Sequence, residues 1–221
     1  MCLGWGGSFS DMLRGVIFDF HNTLVTARSL EDWLRDCGAD DVTTARVLPV
    51  LAGVWRHAAQ RHPDTSWDLE PAMHRRVFTQ VLVEDANCPV DLAERLYQSM
   101  PDQWVLVAGA ESLLGTLHTR GVKVALLSNI AIDPRARLDE LGLLQYLDVV
   151  VLSYEEGLTK PDPVLFERTL ARLGVGPGEC VMVGDSPLAD GGASGAGIAS
   201  IVIPVVQGIP DLTLASQLLT A

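Results

Sequence analysis

The run VIFDFHNTLV, residues 16–25, sets a carboxylate, Asp19, at the end of an apolar stretch and an imidazole, His21, two residues on. A carboxylate displayed at the tip of a buried strand can attack an electrophile or hold a cation. An imidazole beside it can give and take a proton near neutral pH. Further along, LLSNI places Ser128 and Asn129, a hydroxyl and an amide, just past a second apolar run. GLTKPDP presents Lys160 before Pro161, which restrains the backbone in a turn ahead of a helix. VMVGDSPLADGGASGAG ends a third run with Asp185 and Ser186 and adds Asp190 five residues after Asp185. Taken singly, each has an ordinary explanation, as a helix cap, a turn residue or a solvated loop lysine. Together they all fall where apolar runs end, in the chain order carboxylate, hydroxyl, lysine, carboxylate pair.

The elements that must position them follow from periodicity. Apolar runs at 15–20, 122–127, 147–152, 180–183 and 200–206 are rich in Val, Ile and Leu without polar alternation, as strands covered on both faces should be. Helical patterns at 110–120, 134–141, 163–173, 188–196 and 212–219 separate them. Strands alternating with helices predict an α/β fold with a Rossmann-like parallel sheet. Ligands of such sheets bind beyond the carboxyl ends of the strands, where Asp19, Ser128 and Asp185 fall.

Between the first run and Val105 the strand pattern gives way to helical segments punctuated by Gly38, Pro63, Pro71 and Pro89. Roughly 75 residues of helix is too long for a crossover, so the segment 27–104 is expected to form a helical cap domain over the sheet edge. The core is then 1–26 joined to 105–221. Pro49 falls inside the second helical pattern and predicts a kink or break there. Trp55, Arg56, His57, Arg61 and His62 cluster on one segment near Trp33 and Trp67. They form either a substrate-facing set or an ordinary amphipathic helix.

The 221 residues allow one full core plus a smaller unit, and the composition is that of an ordered globular chain. A formal charge of −12 argues against a nucleic-acid surface, and any anionic substrate must find its positive field locally, from a lysine or a metal. Cys2, Cys37, Cys88 and Cys180 are scattered without a C-x-x-C pair, which fits reduced thiols. No apolar run approaches the roughly 18 residues of a membrane span. The start, MCLGWGGSFSDML, lacks a secretory pattern and reads as a loose tail. A cytoplasmic location without membrane association is the expectation.

The core resembles the haloacid dehalogenase-like hydrolases, from Gly15 to Phe20 and from about Ala110 to Val206, most strongly across KPDPVLFERTLARLGVGPGECVMVGDS. The resemblance implies that Asp19 is a nucleophile forming an aspartyl-phosphate with a small phosphorylated metabolite. It implies magnesium held by Asp19, Asp185 and the backbone carbonyl of His21, with Asp190 assisting through water. Ser128 and Asn129 would contact the phosphoryl oxygens, and Lys160 would offset their charge. The departure is His21, where the family's phosphatases usually carry a second Asp as acid and base. An imidazole could replace it, and Asp19 and Asp185 should raise its pKa, with the metal opposing them.

Two rivals remain. One is cleavage of a carbon–halogen or carbon–phosphorus bond. Asp185 and Asp190 together argue against metal-independent dehalogenases. The lack of a lysine between Asp19 and Lys123 argues against the phosphonate-cleaving relatives, which use a cap lysine. The other is a binding or regulatory module that has kept the site without turnover, for which His21 is the sole support.

Overall fold

The computed structural model describes residues 12–220; the N-terminal tail, with Cys2, lies outside the described residues. Five strands, β1 (Gly15–Phe18), β4 (Lys123–Ser128), β5 (Val149–Leu152), β6 (Cys180–Gly184) and β7 (Ala199–Val202), form one sheet in the order β5-β4-β1-β6-β7. Every pairing in it is parallel. The α/β, Rossmann-like class expected from the periodicity is the class observed.

The sheet is covered on both faces, which is why its strands read as unbroken apolar runs. Val16 and Phe18 of β1, with Val124, Leu126, Val181 and Val183, pack into one cluster with the helices Ala110–Thr119 and Thr213–Thr220. Ile17 points the other way and joins Ala125, Leu127 and Met182 against the helix Pro163–Leu173. This is the two-residue period of a strand serving two cores. Phe18 is completely buried, and its truncation to Ala would cost about 3–5 kcal/mol.

Two three-residue strands not foreseen from the sequence, β2 (Val25–Ala27) and β3 (Trp104–Leu106), pair antiparallel just outside the main sheet. They bring together the two crossings of the chain into and out of the helical insert. Arg28 extends the ribbon, its backbone N–H donating to Gln103 O at 2.9 Å and its Nε to Gln103 Oε1 at 2.6 Å.

The insert contains five helices, Leu30–Asp36, Asp41–Leu51, Val54–Arg61, Pro71–Ala86 and Val90–Gln98. They bury a core of their own around Leu34, Val47, Phe78, Val81, Leu82 and Leu96. The break expected at Pro49 falls instead at Ala52–Gly53. Pro49 sits in the last turn of its helix, where the one hydrogen bond it forfeits is close to an end already fraying.

Two further expectations are corrected. The segment predicted as a helix over 188–196 is a 3-10 turn, Gly191–Ala196, because Gly191, Gly192 and Gly195 give it little helical propensity. The run 200–206 is not one strand: β7 ends at Val202, and Val205–Val206 pairs with Ile209–Pro210 as a separate hairpin. No helix among the described residues is long and apolar enough to cross a membrane.

Candidate active site

β1 and β6 are neighbours that end at the same sheet edge. The N–H of Asp19 donates to Val183 O at 2.8 Å, so its carboxylate emerges where β1 leaves the sheet. Gly184 closes β6, and a Cβ there would overlap the side chain of Asp190. Glycine is therefore what lets Asp190 pack over the strand end. Asp190 is 1% exposed, and its Oδ2 accepts the Ser186 N–H at 2.9 Å.

Lys160 enters from the loop before Pro163–Leu173. Its ammonium donates to Asp19 Oδ1 and to Asp190 Oδ1, both at 2.6 Å, with 5% of the residue exposed. Burial alone would lower its pKa, but the two carboxylates outweigh that and hold it above the ordinary lysine value. Burial pushes the Asp19 pKa up; Lys160 pulls it down and Asp190 adds to the rise. Asp185 is likewise raised, chiefly by burial, although Asn22 Nδ2 donates to its Oδ2 at 3.2 Å.

Asn129 makes contacts that the sequence did not show: Oδ1 accepts the Lys160 N–H at 2.7 Å and Nδ2 donates to Lys160 O at 3.0 Å. Both ends are committed to the backbone of the lysine loop, so Asn129 positions Lys160 by fixing its main chain. Ser128, 3% exposed, lines the cavity above the sheet edge.

Asn22 was missed by the sequence reading. It has φ 57°, the left-handed region that asparagine tolerates better than most residues, and this turns the loop back toward Asp185. An asparagine directly after a strand-end carboxylate and His21 was the available signal. In the same loop the hydroxyl of Thr23 is buried without a partner among the described residues.

His21 lines the cavity with part of its ring exposed to solvent. Desolvation by the protein packed around it lowers the imidazole pKa more than the Asp19 charge raises it. The carboxylate contribution has the expected sign, but desolvation penalises the cation more strongly and decides the direction.

Asp19, Asp185 and Asp190 offer carboxylate oxygens within 4.8 Å of one another. One ammonium, paired with Asp19 and Asp190, stands against three carboxylates, so two negative charges are left unmatched; burial first, and the Asp190 charge after it, raise the pKa values of Asp19 and Asp185. A cluster of hard oxygen donors with this charge deficit fits a divalent cation.

A buried lysine and a carboxylate cluster at the carboxyl edge of a parallel sheet define the class. The model of the haloacid dehalogenase-like hydrolases matches residues 13–196, and the chain belongs to that family. It is similar to haloacid dehalogenase-like hydrolase domain-containing protein 3 of Mus musculus, with 29% identity over 86% of this chain and 82% of the relative. A phosphoglycolate phosphatase of Rhodospirillum rubrum is 31% identical over 87% of this chain and 80% of that enzyme. A phosphoserine phosphatase of Thermus thermophilus is 37% identical, over 57% of this chain and 52% of that enzyme. Among solved structures, a dehalogenase superposes with a TM-score of 0.69 at 24% identity, over 93% of this chain and 91% of that one, which speaks to the fold alone. The protein is a hydrolase of this family, with phosphatases among its relatives.

Proposed function

We propose that the protein is a magnesium-dependent phosphatase of a small organic phosphate, acting through an aspartyl-phosphate on Asp19. The observation that carries this reading is the Lys160 ammonium bridging Asp19 and Asp190 beside Asp185. A nucleophile, a fixed cation and a charge-deficient oxygen cluster are the parts that phosphoryl transfer requires. The similarity to two phosphatases supports the same reading.

In this reading Asp19, Asp185 and the backbone carbonyl of His21 would hold magnesium, which would offset phosphate charge when bound. Asp190 has its oxygens engaged by Lys160 and Ser186, so its principal part is to position Lys160 and to shape the metal site from behind. The Asp19 carboxylate attacks phosphorus, the P–O bond to the alcohol breaks, and the departing alkoxide takes a proton from the imidazolium form of His21, which its lowered pKa makes the minor form at neutral pH. Neutral His21 then removes a proton from water, whose oxygen attacks phosphorus and releases phosphate from Asp19. Ser128 donates to a phosphoryl oxygen, while Lys160 neutralises charge building between nucleophile and phosphate. The helical segment 27–104 is the cap that shields this chemistry, and a cytoplasmic phosphorylated metabolite is the substrate.

The test is phosphate release from an aryl phosphate with magnesium, with chelator, and in Asp19→Asn. Release that requires both the metal and Asp19 is expected. Turnover persisting without either would end the reading.

A further inference from the structure

Above His21, Ser128 and Asn129 opens a cavity of about 600 Å³ that runs between the sheet edge and the helical insert. Trp33, Trp55, Trp67 and Trp104 line it, and these are all the tryptophans among the described residues. Trp55 and Trp67 lie nearly parallel, 16° apart in plane and 6.2 Å between centroids. Such walls have no use for a substrate that is only a small, strongly hydrated acid.

Among the described residues, Asp68 supplies the one carboxylate on these walls. Its side chain is 32% exposed, and among the described residues the one basic nitrogen within 4.0 Å of it is His74 Nε2, at 3.9 Å. That imidazole is no counter-ion. It is 4% exposed, its Nδ1 pairs with the Tyr97 hydroxyl at 2.9 Å, and burial takes its pKa down to about 4. Asp68 thus faces an aromatic cavity with no cation paired to it among the described residues, and burial pushes its own pKa up to about 6.

We propose that the alcohol part of the substrate is an aromatic or alkyl group ending in an ammonium, whose body lies on the indole faces and whose charge is read by Asp68. The phosphate end rests on the phosphatase reading above. The ammonium end rests on separate physics. The negative faces of indole rings attract cations, and a partly desolvated carboxylate adds to that attraction. Arg56 also lines the cavity, but it is an exposed residue whose guanidinium lies against Gly53. An anionic tail would meet π faces on the same walls, and these repel anions.

Three phenyl phosphates differing at the para position test this: one with an aminoethyl tail, one with an ethyl tail and one with a carboxymethyl tail. With magnesium at pH 7.5, kcat/KM should be about tenfold higher for the aminoethyl ester than for the ethyl ester, the worth of one desolvated cation contact. The carboxymethyl ester should be poorest. Asp68→Asn should bring the aminoethyl-to-ethyl ratio close to one, and Asp68→Glu should keep a ratio well above it. Hydrolysis of the esters without charge preference overturns this inference and leaves the phosphatase reading intact; preference for the carboxymethyl ester assigns the cavity to Arg56 instead. If no ester is hydrolysed, the phosphatase reading fails, and binding decides the inference alone. Quenching of tryptophan fluorescence in Asp19→Asn should then give tighter binding of the aminoethyl than the ethyl ester, and loss of that difference on adding Asp68→Asn. Equal dissociation constants overturn it.

Discussion

Lys160 Nζ lies 2.6 Å from Asp19 Oδ1, and both groups are almost closed off from water. The ammonium is also shared with Asp190, so its loss would strand two buried carboxylates at once. Removing one member of a buried ion pair typically costs about 3–5 kcal/mol. Lys160→Met is therefore expected to lower stability by that order in metal-free protein, and magnesium should restore part of it. Urea denaturation with and without the metal measures both effects. A fully stable, fully active Lys160→Met protein would reduce the lysine to a loop residue.

Gly184→Ala should disturb the site without touching an ionisable group. The added methyl overlaps the Asp190 side chain and must push it off Lys160 or bend β6. Overpacking of this kind costs about 1–3 kcal/mol, and misplacing a group that supports metal ligands typically weakens metal affinity about 10–100-fold. Calorimetric titration of magnesium into the variant checks the second figure.

His21 is tested by the leaving group. An alkoxide needs a proton as it departs, whereas an aryl oxide leaves with little help. His21→Ala should lose about 10²–10⁴-fold on an alkyl phosphate and distinctly less on an aryl phosphate. Burst kinetics with the aryl ester separate this from slow hydrolysis of the phosphoenzyme. His21→Asp should retain activity. Parent-like rates of His21→Ala on the alkyl ester would show that the proton comes from another group.

Asp68 and His74 have opposite signs in the dependence of stability on pH. The His74 pKa is depressed from 6.5 to about 4, so the stability it contributes is full above 6.5 and is lost as pH falls through 4. The Asp68 pKa is raised from 3.8 to about 6, so its contribution is full below 3.8 and is lost as pH rises through 6. On acidification from pH 7 to 4.5 the parent loses one and gains the other. Asp68→Asn keeps only the loss, about 2–3 kcal/mol from His74. The urea midpoint of the variant should therefore fall more between these two pH values than that of the parent. Parallel curves would remove Asp68 from the balance.

The sequence by itself determined the sheet, because strands buried on both faces must be apolar at every position, and runs such as those around Ile17 and Leu126 can hardly be anything else. It also determined which residues reach the working edge, since Asp19, Ser128 and Asp185 each stand where such a run ends. Short elements were illegible: the pairing of Val25–Ala27 with Trp104–Leu106 joins segments far apart in the chain and is too brief to leave a periodic signal. Equally hidden was what each polar group does with its hydrogen bonds. Asn129 reads as a donor at a strand tip, and only the approach of the Lys160 loop turns it into a clamp on that loop. His21 reads as a histidine between carboxylates, and only the packing around it shows that lost solvation outweighs their charge. Asp68 and tryptophans as far apart in the chain as Trp33 and Trp104 form one cavity wall because the insert folds back over the sheet edge. Composition and period are local and survive in one dimension. Desolvation, partner choice and cavity shape are properties of groups that meet only after the chain has closed on itself.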